Sequence, residues 1–143
     1  MEIISKACDQ KIFKKVALAV FKEKKLLQVR TKKQNHVFFT LGGKLEKGEE
    51  EIECLKREVL EEIGCKIDEA SLKFLHEFED VAHGKGGDLV KIRMYKGKLI
   101  GVPKPSSEIV EIGYFDTKSN KKHLSVIAQR TIFPWLKEHG YIN

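Results

Sequence analysis

Apolar and polar positions follow two rhythms along the chain. Residues 16–21 form an apolar run of strand type, Glu23-Lys24-Lys25 turns the chain, and residues 26–30 read as a second strand. A polar, basic loop occupies residues 31–36. A third strand is expected over residues 37–41, ended by Gly42-Gly43. The period then changes. Ile52, Leu55, Val59 and Ile63 recur at spacings of three and four, which predicts a helix over residues 49–63 with one apolar face. Glu49, Glu50 and Glu51 fall in its first turn, where the helix dipole favours negative charge, and Gly64 supplies the C-terminal stop. Two further strands are predicted, over residues 72–78 and 89–99, joined through His83-Gly84-Lys85-Gly86-Gly87-Asp88. A short strand lies within residues 108–115. Leu124, Ile127, Ala128, Ile132 and Leu136 mark a second amphipathic helix that Gly140 ends. Strands interleaved with two helices predict an α/β sandwich around a mixed sheet.

A chain of 143 residues, 41% of them hydrophobic, suits a single globular domain spanning residues 1–143. It shows no repeat and no low-complexity tract. No apolar run approaches the ~20 residues that span a bilayer, so no membrane partner is expected. Residues 1–15 are polar and mixed in charge and lack the apolar core of a signal peptide, so the expected location is cytoplasmic. Cys8, Cys54 and Cys65 form no Cys-x-x-Cys pair and are read as buried free thiols. His36, His76, His83, His123 and His139 show no metal-ligand spacing and are read as ordinary surface or core residues.

Charge sharpens this picture. Residues 43–65 hold eight acidic and four basic side chains, a net −4; with a total of +6, the rest of the chain carries +10. An acidic island in a basic molecule suits a metal site that receives a polyanion.

The island lies on the predicted helix. Glu58, Glu61 and Glu62, at spacings of three and four, should project together beside the apolar face and toward the sheet. Three carboxylates this close repel one another unless a cation neutralises them. Hard oxygen donors suit Mg2+ or Mn2+, which keeps waters and takes its remaining ligands from substrate phosphates. One such water could attack phosphorus. Arg57, four residues before Glu61 and eight after Glu49, can pair with a carboxylate of either neighbouring turn. Gly42 and Gly43 allow the backbone to approach a ligand closely.

The full spacing is Gly43, five residues, Glu49, seven residues, Arg57-Glu58, an apolar residue, one more, Glu61-Glu62, one more, Gly64 and a final position. It resembles the complete Nudix box of the Nudix hydrolases. With seven positions fixed at ~7% average usage each, a chance match in the chain is roughly one in a million. The resemblance implies an α/β/α sandwich and hydrolysis of a nucleoside diphosphate linked to another group. It implies that Glu58, Glu61 and Glu62 are metal ligands or the base, with a carbonyl of Gly42 or Gly43 as a further ligand. Arg57 is then the orienting partner of Glu49, and Glu49 and Gly64 are structural. Two positions depart from the family pattern: Leu41 stands where many members have Pro, and Cys65 replaces a branched aliphatic residue.

The Pro or Tyr that the ADP-ribose and dinucleoside polyphosphate subfamilies place after the box is absent from Asp80-Val81-Ala82-His83. The expected reaction is therefore a MutT-like, Mg2+-dependent cleavage of a nucleoside triphosphate to monophosphate and pyrophosphate. The alternatives are a hydrolase of sugar nucleotides or dinucleotides and a non-catalytic Nudix-like domain that binds nucleotide or RNA. The intact box carboxylates speak against the last, so nucleic acid is not an expected partner; a homodimer is compatible with the sequence. Phe39, Lys44 and Arg30 are assigned to substrate. One of Phe38 and Phe39 should face the core while the other stacks on a base, since neighbours on a strand face opposite sides. The box carboxylates approach a metal from one side only. The resemblance therefore implies a second carboxylate before the final strand, and Glu108 is preferred to Glu111 because it lies nearer the loop.

Overall fold

The computed structural model describes residues 11–33, 36–82 and 86–143; Cys8, His83 and most of the N-terminal segment lie outside this range. Among the described residues, seven strands and two α-helices follow one another as β1 (Ile12–Ala19), β2 (Phe21–Lys22), β3 (Lys25–Thr31), β4 (Phe39–Lys44), α1 (Glu51–Ile63), β5 (Lys66–Val81), β6 (Leu89–Ile100), β7 (Ile109–Phe115) and α2 (Phe133–Glu138). The sheet runs β2-β3-β4-β1-β6-β5, with β7 on β3. β1 pairs parallel to β6 and antiparallel to β4, so the sheet is mixed.

β1 explains the layering. Its last four residues are buried on both sides, and alternate side chains enter different cores. Val16 and Leu18 pack with Leu55, Val59 and Ile63 of α1, whereas Ala17 and Ala19 pack with Ile132, Phe133 and Leu136 of the C-terminal helical segment. A helix covers each face, which gives the α/β/α sandwich. No helix among the described residues is long and apolar enough to cross a membrane.

The elements depart from the local patterns in four places. β4 does not end at Gly42-Gly43: β1 pairs with it through Leu41, Gly42, Gly43 and Lys44, and the strand continues. β5 begins at Lys66, because β6 pairs with it from there. α1 begins at Glu51, with Glu50 as N-cap in a capping box with Glu53, so Glu49 lies outside the helix. The second amphipathic helix contains a π-helical stretch, Ala128–Ile132, before α2. Pro134 has no N–H to donate and its ring crowds the preceding turn, and the helix widens just upstream of it. Gly64 caps α1 in the left-handed conformation at φ 68° and donates to the Leu60 carbonyl.

Candidate active site

The site is assembled where α1 crosses β4. Arg57 sits at its centre. Its guanidinium clamps Glu49 with two hydrogen bonds, Nε to Oε2 at 2.7 Å and Nη2 to Oε1 at 3.0 Å. Nη2 also donates to the Lys44 carbonyl at 3.2 Å. A planar fork on a carboxylate is among the stronger ion-pair geometries. The pairing holds the Glu49 carboxyl well down, at about 2, with the Arg57 hydrogen bond as the largest cause and the Glu46 N–H next. Glu49 thus ties the loop before α1 to the helix one turn and more along.

The remaining fork atom, Nη1, faces the other carboxylates, at 3.4 Å from Glu58 Oε2 and 3.6 Å from Glu61 Oε2. Glu58 is pressed against β4: a Cβ on Gly43 would stand 1.9 Å from its Oε2 and 2.5 Å from its Cδ. In its present place the carboxyl leaves no room for a side chain at residue 43. Burial raises the Glu58 pKa, opposed by Arg57 and reinforced by Glu61. Glu62 accepts from the Gly42 N–H at 3.1 Å. Burial pushes its pKa up to about 8, against the pull of that N–H and of Lys15. Gly42 has φ 145°, and a Cβ there would meet the Val16 carbonyl at 2.1 Å, so β1 itself demands glycine.

The three carboxylates act on one another: Glu61 raises the Glu58 pKa, and both raise that of Glu62. Among the described residues no three His, Cys, Asp or Glu side chains converge into a ready-made metal cage. Glu58 and Glu61 share Arg57, and Glu62 turns to Gly42. The donor chemistry nevertheless fits a hard divalent cation. The groups are all oxygen, and Glu58 and Glu62 are held where burial opposes their charge, a penalty that a bound cation offsets.

β4 pairs with β3 only through Phe39 and Thr40 and with β1 through the residues after them. Along this crossing opens a cavity of about 310 Å³, lined in part by Phe13, Lys15, Phe39, Lys44, Glu62 and Ile127. Phe38 is buried against Phe115 while Phe39 lines the cavity, the division expected of strand neighbours. Lys44 lies over the Phe13 ring at 4.6 Å.

Other assigned residues lie elsewhere. Arg30 does not line the cavity; it pairs with Glu111 across β3 and β7 at 2.9 Å. Glu108 is exposed in the turn before β7, a segment fastened to the end of α1 by Lys104 N–H to the Ile63 carbonyl and Ser106 N–H to the Glu62 carbonyl. Neither Glu108 nor Glu111 lines the cavity. Lys15 was missed by sequence reasoning. Its signal is its place on β1, opposite Lys44 in the pairing with β4. Cys54 and Cys65 are buried free thiols. Cys54 lies 3.5 Å from the Lys44 carbonyl, and burial pushes it up to about 11, which makes it a packing residue and no nucleophile.

The family model described as NUDIX domain matches residues 12–136. Among solved structures, the chain is similar to the MutT protein from Methanosarcina mazei Go1, with a TM-score of 0.72 and 17% identity over 92% of this chain and 98% of that one. It is also similar to a MutT NUDIX hydrolase from Burkholderia pseudomallei, at 0.69 and 17% over 87% and 98%. The E. coli dihydroneopterin triphosphate pyrophosphohydrolase matches at 0.64 and 12%, over 91% and 100%.

Proposed function

The chain belongs to the Nudix hydrolase family, and on that premise we propose that it is a Mg2+-dependent pyrophosphohydrolase cleaving a nucleoside triphosphate to monophosphate and pyrophosphate. The observation that carries this reading is the seat of Glu58 on Gly43, beside Glu62 on Gly42, at the edge of a cavity for one nucleoside.

Glu58, Glu61, Glu62 and a carbonyl of the Gly42-Gly43 pair would hold the cation, and Mn2+ could replace Mg2+. Bound there, the metal supplies charge stabilisation at the phosphate oxygens and a more acidic water. The chain's own residues do the rest. Glu58, the more enclosed of the two carboxyls facing Arg57, is assigned to take the proton of the attacking water at a carboxylate oxygen. Arg57 positions Glu58 and Glu61 while Glu49 fixes Arg57 from behind. Phe39 offers a ring face to the base, and Lys44 and Lys15 meet phosphate charge. Glu108, in the turn fastened to the Glu62 end of α1, is proposed as the second carboxylate that would complete the shell or serve as an alternative base.

The substrate class rests on the cavity, since at this identity the similar structures share the fold alone. A volume of about 310 Å³ is at the lower end for small-molecule sites and suits one nucleoside. A nucleotide screen with Mg2+, reading phosphate and pyrophosphate separately, tests this. Pyrophosphate released from a triphosphate supports it. Turnover confined to sugar nucleotides or dinucleotides would contradict it.

A further inference from the structure

The cavity along β4 has two chemically different ends. Phe38 forms a bridge with Leu124 and donates its N–H to the His123 carbonyl at 2.8 Å, which seats Ser125 beside the start of β4. Gly42, which donates to Glu62, lies four residues beyond Phe38, about 13 Å along the strand at ordinary rise. Ser125 therefore lines the end of the cavity opposite Glu62 and Lys44.

Ser125 is 3% exposed. It caps the C-terminal helical segment: its carbonyl accepts from the Gln129 N–H at 3.0 Å, and its hydroxyl oxygen accepts from the Ala128 N–H at 3.4 Å. These bonds fix the oxygen and leave the hydroxyl proton without an acceptor among the described residues. Thr40 lines the cavity between the two ends, and its hydroxyl also has no partner among the described residues. Gln28 stands directly opposite Thr40 in the β3–β4 pair and so on the same face. It is wholly buried, and neither polar atom of its amide is hydrogen-bonded. Buried polar groups are as a rule paired, so this surplus of hydrogen-bonding capacity suits the polar edge of a ligand.

We propose that Ser125 is a specificity-determining residue, its hydroxyl donating to an acceptor atom on the edge of the substrate's base. The inference rests on the nucleotide reading above. Phosphates drawn to Lys44 and Glu62 leave the base for the far end, where Phe39 supplies a ring face and Ser125 a directional bond. An apolar wall discriminates poorly between rings of similar size, whereas an enclosed donor penalises a base that turns no acceptor toward it.

The variant Ser125→Gly tests it, because glycine caps a helix nearly as well as serine and removes the hydroxyl. Binding of the four common nucleoside 5′-monophosphates with Mg2+ is followed by calorimetry, and kcat/KM is measured for the corresponding triphosphates. Wild type should prefer one base. The variant should lose about tenfold on that base alone, through Kd and KM with kcat kept, as expected for one hydrogen bond. An equal loss on all four bases would mean that Ser125 acts through the fold, and would overturn the assignment. So would an unchanged preference, or a wild type that prefers no base. Monophosphate binding needs no turnover. Base-selective binding that Ser125→Gly abolishes, in a protein that hydrolyses no triphosphate, would therefore refute the reaction proposed above and uphold the role of Ser125.

Discussion

At the scale of single residues, the Glu58 carboxyl lies directly against Gly43. Gly43→Ala places a methyl group 1.9 Å from Glu58 Oε2 and 2.5 Å from its Cδ, so the whole carboxyl must move and not merely its tip. The expected outcome is a fall in kcat of about a hundredfold, the cost of displacing a reacting group by about 1 Å, with a melting temperature close to wild type. An active Gly43→Ala enzyme would show that Glu58 does not work from this position. Glu49 gives a pH prediction. Its pKa falls from 4.5 to about 2 on folding, because Arg57 favours the charged form. A depressed carboxylate adds stability that is present above 4.5 and is lost as pH falls through about 2. Melting of Glu49→Gln against wild type should therefore differ most at neutral pH and converge near pH 2; a gap independent of pH would mean that Glu49 acts through packing. Much of this was legible in the chain. Spacing left Arg57 a carboxylate in either neighbouring turn, and the resemblance named Glu49; Arg57 forks onto Glu49 and also faces Glu61. The departure of Glu62 toward Gly42 was not legible, because it depends on β4 running on beneath the helix.

Elements were read well where the signal is local and poorly where a partner strand decides. The apolar stripe of Ile52, Leu55, Val59 and Ile63 defines α1 without help from the rest of the chain. Gly42-Gly43 looks like a strand end to any local reading, yet β1 supplies hydrogen-bond partners and holds both glycines in β4. The early start of β5 has the same origin in β6. The π-helical stretch needed the Pro134 effect on the preceding turn to be weighed against an unbroken apolar pattern. The helix N-terminus is braced by Glu51, which accepts from both Arg93 and Tyr95. Tyr95→Phe removes one of these bonds from a half-buried group. A loss of about 1 kcal/mol is expected, seen as a melting temperature lower by ~2–4 °C. No change would show that Arg93 alone fixes the start of α1.

Across the whole molecule, the two faces of one sheet divide the work. α1 lies on one face and brings its carboxylates to β4, while the C-terminal helical segment closes the other with a larger core. β4 joins the two halves of the sheet, and the cavity opens along that joint, where Gly42 and Glu62 line it. On the proposed reading, the uneven charge has a physical use: the acids of α1 would attract a cation, and nearby lysines would meet the phosphates it carries. The most direct measurement is the hydrolysis of a nucleoside triphosphate by wild type and Glu58→Gln at saturating Mg2+, with products identified and melting temperatures recorded. Equal amounts of monophosphate and pyrophosphate are expected from wild type, no turnover after chelation, and a loss of about a hundredfold or more in Glu58→Gln with the fold intact. Full turnover without metal, or near-normal turnover by Glu58→Gln, would contradict the account.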